Sequence, residues 1–239
     1  MCGMKTKNDS NKLKHLAIIP DGNRRWAKKH HLLSWHGHKR GAERIKEIIK
    51  EASQLNISYL TFWIASKDNL KKRDKLEVNF LYKLFADSFK QLTNSKHIHK
   101  NKVRVRILGE WRQIVPKRLN RTICGLMEKT KTYDKFNLTF LLAYDGIEEM
   151  TQALRNLIKK QPSEINYEII KKSLLTSELP PVDLMIRTGG EPHNSAGFMM
   201  WHTAYSQYYF TPTYFPDFDK KELNKAVSDY FKRERRYGA

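Results

Sequence analysis

Apolar and polar positions along the chain alternate between two rhythms. Short runs rich in β-branched and aromatic residues recur at His15 to Pro20, Ile57 to Ala65, Val103 to Gly109, Asn137 to Tyr144 and Val182 to Arg187, with a weaker one at Tyr208 to Phe210. Each has the length and bounding polar residues of a strand. Between them the period lengthens. Ala42, Ile45, Ile48, Ile49 and Ala52 fall on one helical face, as do Val78, Leu81, Phe85, Phe89 and Leu92, and then Leu223, Ala226, Val227, Tyr230 and Phe231. The plain expectation for these stripes is core packing. Strands that alternate with helices predict an α/β protein with a largely parallel sheet, because parallel neighbours need helical crossovers. Ligands of such sheets bind at the carboxyl ends of the strands.

No internal repeat, low-complexity tract or Gly/Ser/Pro-rich linker interrupts the chain after Lys14. The expected organisation is a short flexible basic leader, residues 1–14, followed by one domain, residues 15–239. The chain has 239 residues, 40% of them hydrophobic and five of them Trp, enough to bury a sizeable core and to exclude a disordered basic tail. Its longest apolar runs are about half of the roughly 18 residues a membrane span requires. The polar, lysine-rich start carries no apolar segment of the kind that directs export, so a cytoplasmic location is expected. Cys2 and Cys124 have no CxxC spacing and read as reduced thiols, neither a disulfide framework nor a zinc site.

Charge adds a first functional clue. The 45 Lys and Arg against 25 Asp and Glu give +20, which attracts phosphate as nucleic acid, as an anionic membrane surface or as a phosphorylated small molecule. No nucleic-acid motif accompanies the charge, so no specific nucleic-acid partner is expected, and peripheral membrane contact stays open.

Two segments narrow the choice. In His15 to Ala27 a strand runs into Pro20-Asp21-Gly22-Asn23, a tight turn from which a helix opens. Free amides there can face an anion, and Arg24 and Arg25 add donors shaped for phosphate oxygens. Asp21 beside a phosphate is repulsive unless a cation bridges them, which suggests a Mg²⁺ shared with a diphosphate. The alternative is a turn residue or helix cap. In Asp183 to Glu191 an apolar strand runs into Arg187 and then Thr188-Gly189-Gly190, where glycines permit close approach of backbone to ligand, a second plausible phosphate cradle. Ser66 to Arg73 follows the second strand and belongs to the same edge, with Lys71, Lys72 and Arg73 equally readable as a solvated loop. His36 and His38 lack the carboxylate or thiol company of a zinc site.

In chain order these pieces are Pro20 to Ala27, Gly37 to Ala42, Ala65 to Asn69, Ile186 to Glu191, Phe215 to Phe218 and Arg233 to Gly238. Together they make the sequence resemble the cis-prenyltransferases, the family that includes undecaprenyl diphosphate synthase, over about His15 to Gly238. The resemblance implies a single domain with a six-stranded, mainly parallel sheet flanked by helices, an apolar tunnel for the prenyl chain, and a homodimer. It implies a Mg²⁺-dependent condensation of isopentenyl diphosphate with an allylic diphosphate, giving a Z-prenyl diphosphate. Asp21 matches the metal and diphosphate aspartate. Gly22, Asn23 and Arg25, with neighbouring Arg24 and Trp26, match the allylic-diphosphate site. Asn23, His38 and Ser66 match polar residues that assist diphosphate departure or proton removal, and Asn69 lies with them. Arg187 and Ser195 match the isopentenyl-diphosphate site, to which the position of His193 also belongs, and Arg236 and Gly238 match a terminal segment that reaches the partner subunit.

Several positions depart from that pattern. Ser34 and His193 stand where the family has arginines, Ala65 where it has an aromatic residue, and Leu70 where it has tryptophan. Gln207 replaces a glutamate that is the family's second metal ligand, bringing an amide oxygen without charge. These departures keep open a divergent enzyme on the same scaffold, performing irregular prenyl coupling or terpene cyclisation, or a non-catalytic prenyltransferase subunit.

Overall fold

The computed structural model describes residues 12–233. The terminal residues of the basic leader, together with Cys2, Arg236 and Gly238, lie outside the described residues. Leu13 and Lys14, within the expected leader, are held by the domain: Leu13 is buried, and the Lys14 carbonyl accepts from the amides of Ser58 and Tyr59.

In chain order the elements are β1 (His15–Ile19), α1 (Asn23–Lys29), α2 (Ser34–Gln54), β2 (Tyr59–Ala65), α3 (Lys67–Lys72), α4 (Lys75–Thr93), α5 (Lys96–Lys100) and β3 (Val103–Leu108). They continue with α6 (Lys117–Thr130), β4 (Phe136–Leu142), α7 (Gly146–Lys160), α8 (Tyr167–Ser173), β5 (Leu184–Arg187), β6 (Gln207–Phe210) and α9 (Lys220–Lys232). Each expected strand is present, and the three helical stripes belong to α2, α4 and α9. Local chemistry sets several helix starts. Asp74, Asp145 and Asp219 each accept two backbone amides at the first turns of α4, α7 and α9, donors that would otherwise be unpaired.

The sheet order is β3-β4-β2-β1-β5-β6, with every neighbouring pair parallel. Both faces are covered, as an all-parallel sheet requires. Along β1, Leu16 and Ile18 enter the larger cluster under α2, α4, α6 and α9, while Ala17 and Ile19 enter a smaller one with Leu141, Tyr144, Met185, Phe198 and Met199. From β1 the chain first moves to β2 on one side and later returns to β5 on the other. The carboxyl ends of β1 and β5 therefore flank a topological switch point, where a crevice forms.

The stripes on α2 and α4 do not simply meet. Ile48 and Ala52 are fully buried in the core, whereas Ala42, Ile45 and Ile49 of α2 face Leu81, Phe85, Phe89 and Leu92 of α4 across a cavity of about 560 Å³. Expectation and structure differ here because amphipathic periodicity marks a face that avoids water, without distinguishing a packed neighbour from an apolar void.

Candidate active site

The cavity is polar at the carboxyl ends of the strands and apolar between α2 and α4. Its polar end begins where β1 stops. The Asp21 amide donates to the Ile19 carbonyl at 3.0 Å, and Gly22 adopts φ 99° as it leads into α1. A side chain there would meet strained backbone, and its Cβ would lie 2.6 Å from Tyr214 Cδ1, so glycine is required. The Gly22 amide donates to Asp21 Oδ1 at 2.6 Å. This turn thus spends one of its amides on its own carboxylate, while the N-cap position of α1 is Gly22 and carries no side-chain cap, so Asp21 is a turn residue and not a helix cap.

The second motif arrives on β5, in register with β1: Ile19 pairs with Arg187. The Arg187 side chain is buried, and its Nη2 donates to Asp21 Oδ2 at 3.0 Å. Its Nη1 donates to the His193 carbonyl and to Ser195 Oγ, each at 2.7 Å. Arg25 approaches from α1, with Nη2 3.1 Å from Asp21 Oδ1 and Nη1 donating to the Gly189 carbonyl at 2.7 Å and to Glu191 Oε1 at 3.1 Å. Gly189 has φ +88°, and a Cβ on it would approach Arg25 Nη2 to 2.9 Å. The two cradles expected separately are one cluster, with the Asp21 carboxylate between two guanidiniums.

The facing wall comes from α2, α3 and α4. His38 Nε2 lies 3.0 Å from Glu77 Oε1, with both side chains largely buried. Glu77 also pairs with Arg73 at 3.5 Å and Arg24 at 3.8 Å. Burial pushes the His38 pKa below the ordinary histidine value, while its hydrogen bond to Glu77 works in the opposite direction. Ser66 and Asn69 line the cavity and also bond each other: Ser66 Oγ accepts the Asn69 amide at 2.9 Å, closing a capping box on α3. Asn23 donates to the Pro20 carbonyl at 3.0 Å, and its Oδ1 is buried without a hydrogen-bond partner. Gly37 and Gly41 let α2 press onto this turn, since a Cβ on Gly41 would lie 2.3 Å from Asn23 Oδ1.

The expected set therefore converges in large part. Asp21, Gly22, Asn23, Arg24, Arg25, His38, Ser66, Asn69, Arg187 and Ser195 all line the cavity. His193 contributes its carbonyl to Arg187 and places its ring nitrogen 3.3 Å from Ser195 Oγ. Trp26 turns elsewhere: its Nε1 donates to Asp217 Oδ1 at 2.8 Å, fastening α1 to the Phe215–Asp217 turn. Gln207 opens β6 opposite Leu184, three residues before Phe210, which pairs with Arg187. That is about 10 Å along the strand from the carboxyl edge, and the Gln207 side-chain oxygen is buried there without a hydrogen-bond partner. Sequence reasoning missed Glu77. It precedes Val78 on α4 and looks like an ordinary surface carboxylate, and its only signal was its nearness to the basic run at Lys71 to Arg73. Arg73, left open as solvated loop or ligand group, belongs to the same buried ion cluster.

The donor set suits one kind of metal binding. Among the described residues no group of three or more His, Cys, Asp or Glu could hold an ion, whereas one carboxylate combined with substrate phosphate oxygens is a common arrangement for Mg²⁺. Asp21, partly exposed at the cavity mouth, fits a metal completed by substrate.

Fold and site together define an α/β protein that gathers guanidiniums and one carboxylate at the mouth of an apolar cavity, a receptacle for molecules with a phosphate head and a hydrocarbon tail. Residues 19–238 match the prenyltransferase family model described as undecaprenyl diphosphate synthase, and the chain belongs to this family, the cis-prenyltransferases. It is 38% identical over 226 residues to the isoprenyl transferase of Rickettsia felis, covering 95% of this chain and 94% of that one. It is 37% identical over 231 residues to the geranylgeranyl-diphosphate-specific tritrans,polycis-undecaprenyl-diphosphate synthase of Thermococcus kodakarensis, covering 94% of this chain and 86% of the other. The crystal structure of lavandulyl diphosphate synthase from Lavandula x intermedia, in complex with dimethylallyl diphosphate, superposes with a TM-score of 0.87 at 31% identity, covering 95% of this chain and 98% of that one.

Proposed function

We propose that the protein condenses isopentenyl diphosphate with an allylic diphosphate to give a Z-prenyl diphosphate and free diphosphate. The observation that carries this reading is the pairing of Asp21 with both Arg25 and Arg187 at the mouth of a cavity whose depth is apolar. Arg25, with Gly22, Asn23 and Arg24, holds the allylic diphosphate, and Arg187 with Ser195 holds the isopentenyl diphosphate. The allylic C–O bond breaks, the diphosphate leaves with the bonding electrons, and the isopentenyl double bond supplies the pair for the new C–C bond. A proton is then lost to re-form a double bond. Guanidiniums fixed before reaction stabilise charge on the departing diphosphate, and the apolar wall of α2 and α4 excludes water from the allylic cation. Two substrates held side by side need no further encounter. His38, Ser66 and Asn23, on the cavity wall, are the candidates for donating to the leaving group or accepting the proton.

Mg²⁺ held by Asp21 together with substrate oxygens would neutralise part of the leaving group's charge. Gln207 enters this reading only as the family-pattern ligand. A homodimer is supported by the outward face of α7, where Ile147, Leu154 and Ile158 stand exposed at helical spacing. Peripheral membrane contact is supported by the +20 charge, and a cytoplasmic location by the polar, lysine-rich start of the sequence; no helix among the described residues is long and apolar enough to cross a membrane.

A second reading, irregular coupling of allylic units or cyclisation, is favoured by the departures at Ser34, His193 and Gln207 and by the likeness to a structure that holds dimethylallyl diphosphate. A non-catalytic subunit is disfavoured, because Asp21, Asn23, Arg25 and Arg187 converge on one cavity. Incubation with Mg²⁺, isopentenyl diphosphate and dimethylallyl, geranyl or farnesyl diphosphate separately, followed by mass analysis, tests all three. Products longer by whole isopentenyl units are expected. A product containing no isopentenyl unit would establish the second reading, and absence of turnover with every allylic partner would overturn both.

A further inference from the structure

Two helix starts adjoin beside the polar mouth of the cavity. Trp35 in the first turn of α2 meets Phe80 of α4 with ring centroids 6.3 Å apart, and nearby His38 of α2 bonds Glu77 of α4. At this junction Leu33 is 56% and Leu76 is 76% exposed, and Leu32 and Trp35 also stand in solvent. Scattered apolar side chains on a surface need no explanation, but four grouped on adjoining helix starts do. The chain around them is basic. Residues 28–40 carry four Lys or Arg and no Asp or Glu, and residues 71–76 carry four Lys or Arg and one Asp. That Asp74 is committed to capping α4. Arg40, Lys72 and Arg73 pair with Glu43, Asp68 and Glu77, so the rim charge is that of Lys28, Lys29, Lys39, Lys71 and Lys75.

We infer that this junction is a docking surface for an anionic lipid bilayer. The inference rests on the peripheral membrane contact proposed above and assigns it to particular residues. Apolar side chains rimmed by lysine suit the boundary between headgroups and acyl chains, and tryptophan prefers that depth. The negative potential of an anionic leaflet attracts the surrounding cations. Charge also decides against a second copy of this chain, since an isologous contact would set the same cations against each other. Docking here turns the cavity mouth, walled by Arg24, His38 and Arg73, toward the surface where a hydrocarbon tail leaves water at least cost.

The test uses the full chain with phosphatidylcholine vesicles, with and without phosphatidylserine. The wild type is expected to sediment with the serine-containing vesicles, and Leu33→Ser/Leu76→Gln to partition onto them at least about 10-fold more weakly. Leu33 is the N-cap position of α2, where serine is favoured, so the double variant keeps its fold and its turnover of soluble dimethylallyl and isopentenyl diphosphates. Brominated acyl chains should quench wild-type tryptophan fluorescence, with most of that quenching lost in Trp35→Phe. Equal binding by wild type and double variant, or quenching unchanged in Trp35→Phe, would assign the membrane contact to another surface and overturn the proposal. Failure of the wild type to bind, or stronger binding to DNA than to the vesicles, would overturn it as well. Vesicle binding without turnover would leave the docking surface standing and remove the proposed chemistry, so the two failures are distinguishable.

Discussion

Arg187 Nη2 donates to Asp21 Oδ2 at 3.0 Å, across 166 positions of sequence. The contact joins the carboxyl ends of β5 and β1, so each proposed diphosphate pocket contains a residue bonded to the other. In the proposed reading, substrate oxygens would compete with Asp21 for the same guanidinium, which would link filling of one pocket to the freedom of the aspartate in the other.

Replacing Asp21 with Ala should lower kcat by at least about 100-fold, because charge on the departing diphosphate loses the carboxylate that would hold its counter-ion. Steady-state rates across a Mg²⁺ titration measure this. Turnover like the wild type at ordinary Mg²⁺ concentrations would remove Asp21 from the mechanism.

Arg187→Ala should act mainly on isopentenyl diphosphate. A charge-assisted contact is worth roughly 1.5–3 kcal/mol, so KM for that substrate should rise about 10-fold or more. If KM for the allylic diphosphate rose instead, the two pockets would have to be exchanged.

Glu77→Gln should shift the titration of His38. Burial lowers the His38 pKa while the Glu77 hydrogen bond and charge raise it, with Arg73 and Arg24 lowering it further. Neutralising Glu77 removes the opposing influence, so the midpoint should move further down. Histidine chemical shifts followed by NMR against pH read this directly. A midpoint that stays or rises would mean that the cluster does not set the protonation of His38.

Acid should destabilise the fold through two buried histidines remote from the reaction. Burial pushes His15 and His202 down to about 4 from 6.5. His15 bonds the Pro180 carbonyl and Thr61, and His202 bonds Thr176, which in turn bonds Glu149. Between these pKa values the unfolded chain binds more protons, so stability is fully present above about pH 6.5 and is lost as pH falls toward 4. The slope is at most about 1.4 kcal/mol per pH unit for each histidine. Urea midpoints at pH 7 and 5 for the wild type and His202→Gln check this. The variant, whatever its own stability, should show the shallower pH dependence.

Local sequence determined the kind of each element. The strand at His15–Ile19 is a short continuous apolar run, buried at every position as a parallel strand covered on both faces is, and the α4 helix is written in a period of 3.6. Asp21, Arg25 and Arg187 were legible as candidates because rigid turns and strand ends need particular residue types beside a phosphate. Their meeting was not legible, since it depends on β1 lying beside β5 with Ile19 opposite Arg187, a register set by contacts distant in sequence. The same non-local packing turned Trp26 toward Asp217, buried Glu77 among Arg24, Arg73 and His38, and left Ala42 and Ile45 facing a cavity. It also set Gln207 at the amino edge of β6. A residue type limits the chemistry a position can perform, but its partners are chosen by the strands and helices that fold against it.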